Sequence, residues 1–152
     1  MNVGDSTAER RRSEASRPGR AEQLLARLEL PDAAAELLAM VRFLTASDGP
    51  VQQLAESGLS SPWHERVLVK AQERVEVVDH FLRGRVAFLV AGRSQGYGSF
   101  DDELALAGAT LDTCRAVATV VERLLAEELP TERELDVMGD SALRIYPTLA
   151  AL

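Results

Sequence analysis

Two histidines, one cysteine and a single arginine–histidine pairing are the places where this 152-residue chain could do chemistry. Arg74 and His80 stand in the run Arg-Val-Glu-Val-Val-Asp-His, with five residues between them. An imidazole can move a proton and a guanidinium can hold an anion, so the pair is worth placing. Six steps at roughly 100° each set the two about 120° apart around one straight helix, so a single helix does not converge them. The plainer reading makes His80 a surface partner of Glu76, four residues upstream, and leaves Arg74 at the edge of the core. His64 follows Pro62 and Trp63 and precedes Glu65, and neither histidine has a Glu-x-x-His partner. A helical di-metal site requires two such motifs and further carboxylates, so neither metal nor cofactor is expected. Cys114 is the only cysteine, which excludes an internal disulfide and a cysteine metal cluster, and no thiol–imidazole dyad is legible because neither histidine has a credible partner.

The Arg74/His80 spacing resembles the Arg-x4-6-His motif of the HEPN family, helical domains that include metal-independent ribonucleases. The resemblance implies that Arg74 and His80, contributed by two paired protomers, would contact the scissile phosphate and assist attack by the 2′-hydroxyl. It covers those two positions and a helical fold of suitable size. The chain departs from the pattern at Val75, where the family carries a polar residue after the arginine.

Three other constellations have less chemical content. Gly92, Gly96 and Gly98 surround Arg93 and Tyr97, but a phosphate loop would need a Lys-Ser/Thr pair after the glycines and a strand before them. The glycines are read as a helix stop and a turn, with Arg93 and Tyr97 as a tip that can face a ligand or partner. Trp63 is either a packing anchor at the end of the bundle or an exposed binding hot spot. Gly139-Asp140-Ser141 is similar to the serine attachment site of carrier proteins, but only 11 residues follow that serine and a carrier needs two more helices.

The elements that must position these residues are helices. Leu104, Ala107, Leu111, Cys114, Ala118, Val121 and Leu125 recur at alternating steps of three and four, the seam of a helix packed lengthwise. Val67, Ala71, Val75, Val78, Leu82, Val86 and Leu89 form a second stripe, which Phe81, Phe88 and Val90 widen until Val86 to Ala91 is apolar nearly all round. Such a segment is expected in the middle of a bundle. Ser61-Pro62 opens this helix and Gly92 is expected to close it, with Ser99 capping the next, which runs to about Leu129. Thr131 and Glu134 form a capping box for a last helix halted by Pro147. Upstream, helical periodicity begins at Arg20 with Leu24, Leu25 and Leu28. It resumes after Pro31 with Ala34, Leu37, Leu38, Val41 and Leu44, giving two helices or one sharply kinked. Gly49-Pro50 starts a short helix that Gly58 ends. The fold expected is all-α: an antiparallel helical bundle of four to six helices built on a long 62–128 helical hairpin. Residues 1–19 are expected to be a disordered arm, and 20–152 one domain.

Composition narrows the function further. Sixteen of the 17 basic residues are arginine, a bias that fits GC-rich coding better than nucleic-acid recognition. The net charge of −7 is uneven, with +2 over residues 60–98 and −7 over residues 99–152. An acidic surface is not built to hold a phosphate backbone, so nucleic acid enters only through the ribonuclease alternative. The longest uninterrupted apolar run, Val86 to Ala91, is far short of the ~18 residues of a membrane span, and the N-terminus lacks a signal-peptide pattern. A cytoplasmic location is therefore expected. The leading expectation is a non-enzymatic helical interaction or adaptor protein that binds itself or another chain, with a homodimer covering leftover apolar surface. The alternatives are a HEPN-like ribonuclease, or an inactive relative, using Arg74 and His80, and a helical small-molecule binder. Trp63, Arg93 and Tyr97 are the candidate binding residues.

Overall fold

The computed structural model describes residues 28–152, which are helical without a strand. Among the described residues five helices follow one another: α1 (Leu30–Thr45), α2 (Pro50–Ser57), α3 (Pro62–Ser94), α4 (Asp101–Leu125) and α5 (Glu132–Ala151). The expected arm at 1–19 and the helical turns from Arg20 through Leu24 and Leu25 lie outside the described residues.

Local chemistry explains most of the boundaries. Glu29 takes a left-handed conformation (φ 50°), and Pro31 and Asp32 occupy the first turn of α1, so the proline opens a helix rather than kinking one. A Cβ on Gly49 would stand 2.4 Å from the Phe43 carbonyl oxygen, so no side chain fits the turn into α2. The Ser61 hydroxyl accepts the His64 N–H at 3.0 Å and Pro62 starts α3. Thr131 and Glu134 make the reciprocal capping box at the start of α5.

Four boundaries differ from expectation. Gly92 does not stop α3, which continues through Ser94. Gly96 (φ 79°) is the left-handed terminator, and the Tyr97 N–H returns to the Gly92 carbonyl at 2.9 Å. Gly92 is instead a packing glycine, for a Cβ there would lie 3.1 Å from the Phe100 ring. Ser99 does not cap α4. Phe100 is the boundary residue, at φ 55°, and no side-chain cap bond is made there. Burial of the Phe100 ring, 6% exposed, offsets its unfavourable backbone. α4 ends at Leu125 rather than Leu129 because Glu127 turns left-handed (φ 58°), and the Glu128 N–H caps the Arg123 carbonyl at 2.8 Å. Finally, Pro147 does not halt α5, which continues to Ala151. The proline cannot donate to the carbonyl of Leu143, but Leu143 is exposed, so water can satisfy that group.

Side-chain bridges set the directions of the helices. Phe43 meets Trp63 while Glu36 meets Arg74, so α1 and α3 are antiparallel. Arg123 meets Glu134 and Asp112 meets Arg144, so α4 and α5 are antiparallel as well. α4 packs against every other described helix. It is consequently buried on most of its circumference: Ala107, Thr110, Val117, Val120 and Val121 are all inaccessible. The seam expected on α4 is rotated accordingly, because Leu104, Leu111, Ala118 and Leu125 sit half-buried at its border. The buried Thr110 and Thr113 hydroxyls donate to the carbonyls of Leu106 and Ala109, which lets polar residues sit in the core. α4 is also long and apolar enough to cross a membrane by length and composition. More than half of the qualifying window, 56%, is buried by the other helices, as in the central helix of a bundle.

α3 is the outer rod. Its core face holds Leu68, Ala71, Val75, Val78, Leu82 and Leu89. Val86 to Ala91 is not covered on several sides as expected, since Ala87, Phe88, Val90 and Ala91 are exposed. The reason is position: α3 packs mainly on α4, and α1 is too short to shelter the last three turns of α3.

Candidate functional site

The residues singled out by the sequence fall on three separate places. Arg74, on the α1-facing flank of α3, is exposed. Its Nε and one Nη donate to the two carboxylate oxygens of Glu36 on α1, the second at 2.8 Å. That bidentate bond holds the guanidinium above its ordinary pKa, first through the hydrogen bonds and then through the opposite charge. His80 is exposed on the same helix, and no hydrogen bond or ion pair of its ring occurs among the described residues. The expected Glu76–His80 pair is not formed. A single unbroken helix carries both residues, so within one chain Arg74 is turned to Glu36 and His80 is turned away from it.

Arg93 and Tyr97 occupy the α3–α4 turn. Arg93 donates through Nε to the Ser99 carbonyl and through Nη to Asp101, both at 2.7 Å. Two of its five N–H donors thus close the turn and engage the acidic first turn of α4. Tyr97 is 39% exposed, with its ring beside Gly92. The arrangement is a latch on the hairpin.

Trp63 has a different setting. It makes an edge contact with Phe43, with ring centroids 5.8 Å apart, and leans on His64 at 5.3 Å, yet 58% of it remains exposed. His64 is buried in this cluster, and its Nδ1 has no hydrogen-bond partner among the described residues. It packs as a third aromatic ring. Beside Trp63 an open depression of about 720 Å³ runs along α3, with Val67, Val69 and Lys70 in its described wall. Further along, a smaller groove of about 270 Å³ between α1 and α3 joins Asp32 and Glu36 to Val77 and Phe81. Both are open to solvent, without the enclosing walls that hold a small ligand.

Together these features make a surface that sequence reasoning missed. Trp63, Val77 and Phe88 are 58%, 53% and 40% exposed along one flank of α3, which the described part of α1 covers only in part. The available signal was the width of the apolar stripe between Phe81 and Val90, which exceeds what one neighbouring helix can cover.

The remaining reactive groups are enclosed. Cys114 is buried, and burial, followed by the nearby Asp79 charge, pushes its thiol up to about 11. Ser141, the serine of the Asp-Ser sequence, is 3% exposed on α5 and unavailable for attachment. Among the described residues no three His, Cys, Asp or Glu side chains converge. No protein-family model matches this chain, and neither the curated proteins nor the solved structures contain a significant match to it.

Proposed function

We propose that this chain is a non-enzymatic helical interaction module that binds protein through the half-exposed apolar flank of α3 that runs from Trp63 through Val77 to Phe88. The observation carrying the reading is the exposed run of large apolar side chains on that helix, set against a core in which the largest side chains are wholly buried. Each large apolar side chain moved from water into a contact gains about 1.5–3 kcal/mol. Trp63, Val77 and Phe88, each about half exposed, leave part of that gain unrealised. Arg93, Cys114 and Ser141 are occupied structurally, and the open depressions along α3 suit a helix or strand better than a small molecule.

The test places photoreactive benzoylphenylalanine at Phe88 in the native host cell, with Arg115 on α4 as the control position. Covalent adducts to a protein at Phe88 and not at Arg115 are the expected result. No protein adduct at Phe88 would sink the reading.

A further inference from the structure

We infer that the half-exposed flank of α3 is covered, in the absence of a partner, by residues 20–27 of the same chain, and that a binding protein must displace them. The inference rests on the reading of that flank as an interaction surface and deepens it by naming what controls access. Val77, Phe81, Gly84 and Phe88 recur along the flank at alternating steps of four and three, the spacing of one helix face. α1 shelters only the beginning of this row, at the groove that joins Asp32 and Ala33 to Val77 and Phe81.

The place where the chain enters the bundle selects the occupant. Leu28, the first described residue, is helical and 1% exposed in the core, and Glu29 after it lies in the wall of that same groove. The residues before Leu28 are therefore delivered to the mouth of the groove. Leu24 and Leu25 stand four and three positions before Leu28, so on a helical repeat they share its inward face. Phe88 lies about 10 Å along α3 from Phe81, and residues 20–27 span about 12 Å as a helix, enough to reach it. Gly84 leaves a notch between the Phe81 and Phe88 positions, since a Cβ there would meet nothing within 4 Å. A leucine seated in that notch gives a use to a glycine that otherwise weakens the helix.

Charge points the same way. Residues 1–27 carry six arginines against four acids, and the groove wall carries Glu29, Asp32 and Glu36. The flank also holds one unmatched cation. The Arg85 guanidinium lies 4.6 Å over the Phe81 ring, and its enclosed Nε has no hydrogen-bond partner among the described residues. An enclosed donor of this kind calls for an acceptor, and Glu22 on the covering segment supplies a carboxylate. A segment tethered beside the groove meets it at an effective concentration in the roughly millimolar range. A modest contact is then enough to cover the flank, and a partner has to compete with it.

Benzoylphenylalanine at Phe88 of the purified full chain should, on irradiation, form adducts to residues 20–27 of the same molecule. Their yield should not change on dilution. Leu24→Asp combined with Leu25→Asp should lower that yield about tenfold or more, with the helical circular dichroism of the bundle retained. In the host cell the same double substitution should raise the capture of a separate polypeptide at Phe88. Adducts that avoid residues 20–27, that vanish on dilution or that persist in the double variant would overturn the inference. The first two are read on the parent sequence, so they decide even where the double variant misfolds. Capture of a separate polypeptide without adducts to residues 20–27 would overturn the covering segment and leave the module reading standing. Adducts to residues 20–27 with no polypeptide captured by either chain would support the covering segment and overturn the module reading, so the two failures are distinguishable.

Discussion

The Cys114 thiol donates to the backbone carbonyl of Val75 at 3.3 Å, tying the middle of α4 to the middle of α3. That carbonyl belongs to the helical ladder, so the sulfur adds a second donor to a group already in use. The contact requires two helices to approach closely, which a small side chain such as cysteine permits.

This placement predicts an inert thiol. Native protein at pH 8 should resist iodoacetamide and label readily once denatured; fast labelling in the native state would contradict the burial. Because the folded thiol is raised to about 11, its contribution to stability is complete below the ordinary thiol pKa near 9. The contribution is lost as pH rises from there toward 11. Thermal unfolding midpoints should fall across that window, and Cys114→Ala should reduce the fall.

Leucine truncations should separate core from border. Leu82 is wholly buried, and Leu82→Ala should cost about 2–5 kcal/mol in urea unfolding. Leu111 lies half-buried at the edge of the α4 core, so Leu111→Ala should cost about half as much, roughly 1–2 kcal/mol. Equal losses would mean that the rotated seam of α4 is wrong.

The cap of α5 gives a pH-dependent test. Thr131→Ala should cost about 0.5–2 kcal/mol. The Glu134 carboxyl is held below its ordinary pKa, first by the Thr131 backbone N–H and then by the Arg123 side chain. Its stabilisation is therefore complete above the ordinary glutamate pKa of about 4.3 and disappears as pH falls through the depressed folded value. The stability gap between the parent chain and Glu134→Gln should be present at pH 7 and close on acidification. A gap that widened in acid would reverse the assignment.

For Arg74 and His80 the expected outcome is no cleavage of single-stranded or transfer RNA. His80→Ala should change stability by at most about 0.5 kcal/mol. Arg74→Ala should leave the unfolding midpoint nearly unchanged, as expected for an exposed, solvent-screened ion pair. Metal-independent cleavage that vanished in both variants would establish a ribonuclease site and displace the interaction module.

Legibility followed the range of the interactions. Ser61, Pro62, Thr131 and Glu134 act over three or four residues, and the starts of α3 and α5 were readable from them alone. The hairpin of two long helices was readable too, since periodicity reports a buried face. Which face is buried most depends on how many neighbours a helix has. The expected seam of α4 lies within its buried face, with Ala107, Cys114 and Val121 inside and the other four at the border, because four helices surround it. The apolar turns of α3 are exposed because no described helix covers them, which leaves no mark in the sequence. Gly92 and Gly96 show the same limit. Either glycine suits a helix stop, and only the Phe100 ring, brought back by the turn, decides that Gly92 packs and Gly96 terminates. For the site, the sequence singled out Trp63 and the Arg74/His80 spacing. It did not pick out the Glu36 carboxylate that engages Arg74, which lies 38 positions away.

Because α4 touches α1, α2, α3 and α5, no pair of helices can part without uncovering it. Apart from the weakly attached α2, the described bundle has no separable half, and its opening must be nearly all-or-none. Amides in the middle of α4, around Val117 and Val120, should exchange with solvent deuterium only through global unfolding. Those of the eight-residue α2, which has little beyond Pro50 and Leu54 buried, should exchange through local opening orders of magnitude sooner. Within residues 28–152, proteolysis would accordingly make its first cut near α2, while α4 stayed shut until the bundle came apart.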